Sequence, residues 1–172
     1  MSNDLSPDNS FYIGLCMAGA VSAGAYTAGV MDYLLEALED WQRRKDASEA
    51  NTPSHKVVIP VIGGASAGGM TGIITASAIN NRMVHITAPS CDFKEHPENK
   101  LYHCWVDLLK DDMFPMLLET SDIKKKNITS LLNSTFIDKL AKKVLQVDKE
   151  NWLPTPSFLS SNLKIFTTLT NL

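Results

Sequence analysis

The sequence has little cysteine and no excess of positive charge. Three cysteines in 172 residues are too few, and an odd number, for a disulfide framework. This usage predicts a reducing compartment and therefore a cytoplasmic protein, with a peripheral position at a membrane surface as a further option. Sixteen Lys and Arg against nineteen Asp and Glu give a net charge of −3. Nucleic-acid binders usually carry a basic patch or stripe, so no nucleic-acid partner is expected.

Charge is absent altogether from two long stretches, residues 11–31 and 57–81. Each is long enough to cross a bilayer as a helix, so a membrane protein with two spans is one alternative. However, both stretches are rich in Gly, Ala, Ser and Thr, and Pro60 interrupts the second. The first ten residues contain no basic residue, which a secretory signal requires. We therefore expect no transmembrane segment, an N-terminal tail over residues 1–10 and one domain over residues 11–172.

Apolar runs that alternate with helical periodicities predict an α/β fold with a mainly parallel sheet. Strands are expected at residues 11–17, 57–62 and 163–170. Helices are expected at about residues 26–45, 70–82 and 101–109, and another is expected after an N-cap at Ser134. A Met-rich turn is expected at residues 113–116.

The most specific motif is Gly64-Ala-Ser66-Ala-Gly68, which has the pattern G-x-S-x-G. It follows an apolar strand and precedes a small-residue helix, which is the setting of a nucleophile elbow. The turn is so tight that the positions two before and two after the serine cannot carry side chains. The following helix points its N-terminus at a developing oxyanion. The motif predicts a catalytic Ser66 with Gly64 and Gly68 as elbow glycines; a Gly-rich structural turn is the alternative.

A second Gly-rich segment, residues 18–30, also lies between a strand and a helix. Its glycines suggest a dinucleotide loop, but Val21 stands where G-x-G-x-x-G needs glycine, and no Lys of the phosphate-loop type follows. A nucleotide-binding module is therefore an alternative, as is simple close packing of a small-residue helix. A backbone oxyanion loop fits better, because the serine elbow follows some forty residues later.

Together the strand–loop–helix unit over residues 13–38 and the elbow resemble the patatin-like phospholipase family. The stretch Ala28-Gly-Val-Met31 is similar to the A-G-V-L of that family, and Ser130-Leu-Leu-Asn133 and Thr168-Leu-Thr-Asn-Leu172 are less specific similarities. The resemblance implies a three-layer α/β/α fold and a serine acyl hydrolase of the phospholipase A or lipase type, acting on lipid acyl esters through a Ser–Asp dyad. It implies no metal and no organic cofactor. The implied site residues are the nucleophile Ser66 and the oxyanion-hole residues Gly19, Ala20, Val21 and Ala67.

The chain departs from the family pattern in two places. The family loop G-G-G-x-R/K-G reads Gly19-Ala-Val-Ser-Ala-Gly24 here, with Ala23 in place of the basic residue. The family's D-G-[GA] motif is also missing, since no Asp of the chain precedes a glycine. We therefore expect the catalytic Asp beyond Leu172 and an incomplete domain. An incomplete parallel sheet would expose a strand edge, through which the chain could self-associate.

Three further alternatives remain open. An ordinary α/β-hydrolase triad would take Asp92 and His103, which follow Ser66 in the required order. A zinc set could be drawn from Cys91, His96, His103 and Cys104, although their spacing matches no standard pattern. A non-catalytic lipid-binding protein of the same fold would account for the altered loop.

Overall fold

A computed structural model describes residues 9–20, 24–81, 83–87, 92, 95–109, 113–123, 131–146 and 152–168. Three strands and six helices are assigned within these ranges. In chain order they are β1 (Ser10–Met17), α1 (Gly24–Asp46), β2 (Lys56–Ala65), α2 (Ala67–Ala78), α3 (Lys100–His103), α4 (Val106–Leu109), α5 (Met113–Leu118), α6 (Thr135–Leu145) and β3 (Leu159–Thr168).

The three strands form one parallel sheet in the order β1-β2-β3, with β2 at its centre. The register shifts on both sides of β2 at Pro60, between the pairs Tyr12 with Val58 and Gly14 with Val61 on the β1 side. Proline has no N–H to donate to a neighbouring strand, so a bulge is where a central strand tolerates it. Pro60 therefore bends β2 without ending it.

Both connections between neighbouring strands lie on one face of the sheet, because right-handed crossovers in this strand order place their helices on the same side. One apolar core fills that side, and its most deeply buried large side chains include Leu35 of α1, Ile59 and Ile62 of β2 and Leu101 of α3. The predicted α/β class, a parallel sheet flanked by helices, is confirmed. In the described part of the chain, the sheet and the helices on this face are two of the three layers of the predicted α/β/α fold.

On the opposite face of the sheet, described side chains are largely exposed. Tyr12 is 56% exposed and Phe166 is 60% exposed. Cys16 lies opposite Gly63 and is also exposed. Because side chains alternate between the two faces of a strand, these residues point away from the core that Met17 and Ile62 enter. Much of this face is therefore open to solvent in the described part of the chain.

The two uncharged stretches each divide into a strand and a helix. Residues 11–31 enter β1 and the start of α1, and residues 57–81 enter β2 and α2. No helix among the described residues is long and apolar enough to cross a membrane.

Several element boundaries differ from the sequence-based expectations. The expected turn at residues 113–116 is wrong, since α5 covers it; Pro115 is the third residue of that helix, where the first turn tolerates proline. The expected helix at residues 101–109 is two short helices, α3 and α4. Helix α2 begins at Ala67 and ends at Ala78, earlier than expected at both ends.

Two other elements are found close to where they were expected. Helix α6 follows Ser134 as predicted, but the side chain of Ser134 makes no cap bond. Instead, the backbone N–H of Thr135 donates to Oδ1 of Asn133 at 2.9 Å. Strand β3 begins at Leu159, four residues before its expected start, and residues 169 and 170 lie outside the described residues.

Candidate active site

Ser66 lies in the turn between β2 and α2 and is exposed to solvent. Its backbone has φ 50° and ψ −121°, a conformation that residues other than glycine rarely adopt. Holding a residue in such a region costs about 1–3 kcal/mol, and the surrounding structure must enforce it. The strand therefore ends in a strained turn that presents the Ser66 side chain to solvent, as a nucleophile elbow does.

The elbow glycines are required by contact. A Cβ on Gly64 would lie 2.4 Å from the carbonyl carbon of Gly68, and a Cβ on Gly68 would lie 2.3 Å from the carbonyl oxygen of Met17. Both distances are far inside van der Waals contact. Gly64 and Gly68 thus let α2 begin directly against the end of β1 and β2, which is what makes the turn at Ser66 so tight.

The loop after β1 runs beside the serine. A Cβ on Gly19 would lie 3.1 Å from Cβ of Ser66 and 3.3 Å from the carbonyl oxygen of Ala65. Any side chain at position 19 would therefore crowd the serine, whereas glycine brings its backbone next to it. Ala20 follows in the described residues, and Val21, the third predicted loop donor, lies outside them.

Helix α2 supplies further backbone donors at the same place. The first intrahelical bond runs from the N–H of Met70 to the carbonyl of Ser66, at 2.9 Å. The N–H of Ala67 lies one turn earlier, where a helix has no internal acceptor for it. No acidic residue occupies the first turn of α2. The positive end of the helix dipole is therefore not neutralised within its first turn.

His96 and His103 form hydrogen bonds with residues other than Ser66. His103 bonds Oδ2 of Asp107 through Nδ1 at 2.6 Å and the carbonyl of His96 through Nε2 at 3.1 Å. His96 bonds Glu98 at 3.0 Å. The alternative triad of Asp92 and His103 is therefore not assembled at Ser66 in this structure.

The alternative zinc set is not assembled either. Cys91 lies outside the described residues, and these contain no group of three or more side chains placed to hold a metal ion. Burial raises the pKa of Cys104 to about 11, although Lys143 and Lys100 oppose the shift. The thiol of Cys104 is therefore protonated at neutral pH.

A buried polar cluster that the sequence analysis missed is centred on Asp32 of α1, which is 1% exposed. Its carboxylate accepts from Nδ1 of His85 at 3.0 Å, from the N–H of Ile86 at 2.8 Å and from Nδ2 of Asn99 at 3.3 Å. Asn99 is the N-cap of α3 and accepts from the N–H of Tyr102. The cluster thus ties residues 83–87 and the start of α3 to α1. Its one sequence signal is that position 32 follows Ala28 by four residues on the apolar face of α1.

The charge of His85 follows from the same contacts. Burial would lower its pKa, but hydrogen bonds to Asp32 and to Glu39 outweigh it and raise the pKa to about 9. His85 is therefore a cation at neutral pH, and both ring nitrogens donate. The positive ring offsets the buried negative charge of Asp32, which an apolar core would otherwise penalise.

Comparison with known proteins finds no family model and no solved structure that matches the chain. The uncharacterized protein y4iI of Sinorhizobium fredii (strain NBRC 101917 / NGR234) is 32% identical over 171 residues. The alignment covers 95% of this chain and 24% of that relative, so the chain spans about a quarter of the relative's length. The name of this relative assigns no activity.

Proposed function

We propose that the chain carries the nucleophile and oxyanion hole of a serine acyl hydrolase that acts on lipid acyl esters, as the resemblance to patatin-like phospholipases implies. The observation that carries the proposal is the strained, exposed Ser66, held between a strand and a helix by two glycines whose positions leave no room for a Cβ atom. A Gly-rich structural turn has no need of a polar side chain projecting from a strained position.

The arrangement suits acyl transfer. Oγ of Ser66 attacks the carbonyl carbon of the ester while a general base takes the hydroxyl proton. The resulting oxyanion accepts hydrogen bonds from backbone N–H groups of the loop at Gly19, Ala20 and Val21 and from the N–H of Ala67. The proton then goes to the departing alkoxide, which leaves as an alcohol. Water finally hydrolyses the acyl-enzyme and frees the carboxylic acid.

The base is an Asp in this proposal, and it is placed outside the described residues. In the described part of the chain, the recorded histidine contacts lead to Asp32, Glu39, Glu98 and Asp107 and not to Ser66. A serine hydroxyl without a base is a weak nucleophile. Activity is therefore to be measured on the full-length protein.

The preference for lipid esters also has support in the chain itself. Both segments that meet at Ser66 are uncharged, over residues 11–31 and 57–81. An ester with a long acyl chain is more compatible with such surroundings than a charged metabolite, because burying an unpaired charge is costly. We place the protein in the cytoplasm, where it would meet this substrate at a membrane surface.

Covalent labelling tests the proposal. A fluorophosphonate should modify the peptide that contains Ser66, and a Ser66→Ala variant should lose that label. Mass-spectrometric mapping identifies the modified residue. Labelling of another residue, or equal labelling of the variant, would show that Ser66 is not the nucleophile.

Lipid binding without hydrolysis is the second candidate function. It is favoured by the loop sequence, which lacks two glycines and the basic residue of the family pattern. In that case lipid would bind while the fluorophosphonate leaves Ser66 unmodified, so the same experiment separates the two functions.

A further inference from the structure

A tryptophan far away in sequence lies directly against the start of α1. Trp105 follows α3 and is 8% exposed. A Cβ on Gly24, the first residue of α1, would lie 2.2 Å from Cη2, 2.3 Å from Cζ3 and 2.5 Å from Cζ2 of the indole. The six-membered ring of Trp105 therefore packs onto the backbone of Gly24. A side chain at position 24 would overlap with this ring.

Backbone conformation does not explain this glycine. None of the described glycines has a positive φ, so Gly24 does not occupy a conformation reserved for glycine. Gly29, five residues later in α1, has no atom within 4 Å of the place its Cβ would take. Of these two helix glycines, only Gly24 is required by a contact, and that contact is the indole ring.

Trp105 is itself held firmly. The backbone N–H of Trp105 donates to the carbonyl of Tyr102 at 3.1 Å. The backbone N–H of Tyr102 donates to Oδ1 of Asn99, and the side chain of Asn99 also bonds the buried Asp32. The indole Nε1 is buried and has no hydrogen-bond partner in the described part of the chain. The shape of the ring, and not a hydrogen bond, therefore makes the contact with Gly24.

The contact lies close to the candidate active site along the chain. Five peptide steps separate Gly24 from Gly19, whose backbone lies against Ser66. A connection this short spans at most about 18 Å even when fully extended, so the contact at Gly24 lies within that distance of Gly19. Because the oxyanion donors are backbone groups, a displacement of about 1 Å is enough to cost up to about a hundredfold in rate.

We infer that Trp105 is a positioning residue: by packing on Gly24 it fixes the start of α1 and thereby holds the oxyanion loop beside Ser66. The inference rests on the proposed function for its effect on reactivity. Its structural half, the fixing of the segment between β1 and α1, stands apart from any activity.

Three variants of the full-length protein test this inference. Gly24→Ala should slow fluorophosphonate labelling of Ser66 by at least about tenfold, while the matched control Gly29→Ala keeps the wild-type rate within about twofold. Trp105→Phe has a shorter ring and loses no hydrogen bond, so adding it to Gly24→Ala should make room for the new methyl group and restore most of the rate. A general loss of stability would not be repaired by a second core substitution.

Hydrogen exchange of the peptides covering residues 18–27 supplies a readout that needs no activity. Gly24→Ala should raise exchange there at least about threefold above Gly29→Ala, and the double variant should lower it again. Equal labelling and equal exchange in the two alanine variants, or no recovery in the double variant, would overturn the inference. Failure of the wild-type protein to label at Ser66 would instead refute the proposed function, and the exchange data alone would then decide on Trp105.

Discussion

Gly68→Ala is the sharpest structural test of the elbow. The new Cβ would lie 2.3 Å from the carbonyl oxygen of Met17 and 2.7 Å from that of Ala18. Both neighbours are backbone atoms, so the end of β1 and the start of α2 must move apart by most of an ångström. Overpacking of this kind costs about 1–3 kcal/mol. The better helix propensity of alanine returns at most about 1 kcal/mol.

The net loss expected for Gly68→Ala is about 1 kcal/mol in the free energy of unfolding, because a contact cost in the middle of that range exceeds the gain in helix propensity. For a chain of this length that lowers the melting temperature by about 2–4 °C. Gly29→Ala is the control, because its methyl group meets open space. It should raise the melting temperature by up to about 2–4 °C. Thermal unfolding of both variants decides: equal or higher stability of Gly68→Ala would mean that α2 does not begin against β1 as described.

Three further predictions address the loop, the buried cluster and the sheet edge. Gly19→Pro removes an N–H and crowds Ser66, so acyl hydrolysis should fall by about 10²–10³ while Ala20→Ser is tolerated; a loss of less than about tenfold would contradict the oxyanion assignment. The pKa of His85 is raised from 6.5 to about 9, so its contribution to stability is complete below about pH 6.5 and is lost as pH rises through 9. The difference in unfolding free energy between wild type and His85→Gln should shrink over that range, and a constant difference would refute the assigned contacts. Finally, the exposed edge strand β3 should promote self-association, which Phe166→Lys should reduce in sedimentation velocity; a monomeric wild-type protein would contradict this.

The elements that could be predicted from the sequence are those whose geometry is set by neighbouring residues in the chain. The spacing of Gly64, Ser66 and Gly68 describes one turn, so its geometry follows from five consecutive residues. The strand before it was expected at residues 57–62 but extends to Ala65, because glycine and alanine continue the pairing without adding apolar signal. Helix α5 was missed because Pro115 in a Met-rich segment is also typical of a turn.

Long-range contacts explain what the sequence could not predict. Asp32 meets His85 and Asn99 across 53 and 67 residues of chain, and Trp105 meets Gly24 across a still longer separation. No local pattern records such a pairing. An acidic residue on the apolar face of a helix is the only trace of the buried cluster. A glycine at a helix start gives no sign that an indole ring requires it.

The central claim is that Ser66 carries the acyl group during hydrolysis of a lipid ester. The direct measurement begins by acid-quenching the full-length protein while it turns over a phospholipid or a neutral lipid ester. Mass spectrometry of the peptide that contains Ser66 then follows. The account predicts an added acyl mass on Ser66 that decays as free fatty acid appears and that is missing from Ser66→Ala. Hydrolysis that proceeds with the acyl group on another residue, or at an unchanged rate in Ser66→Ala, would contradict the account.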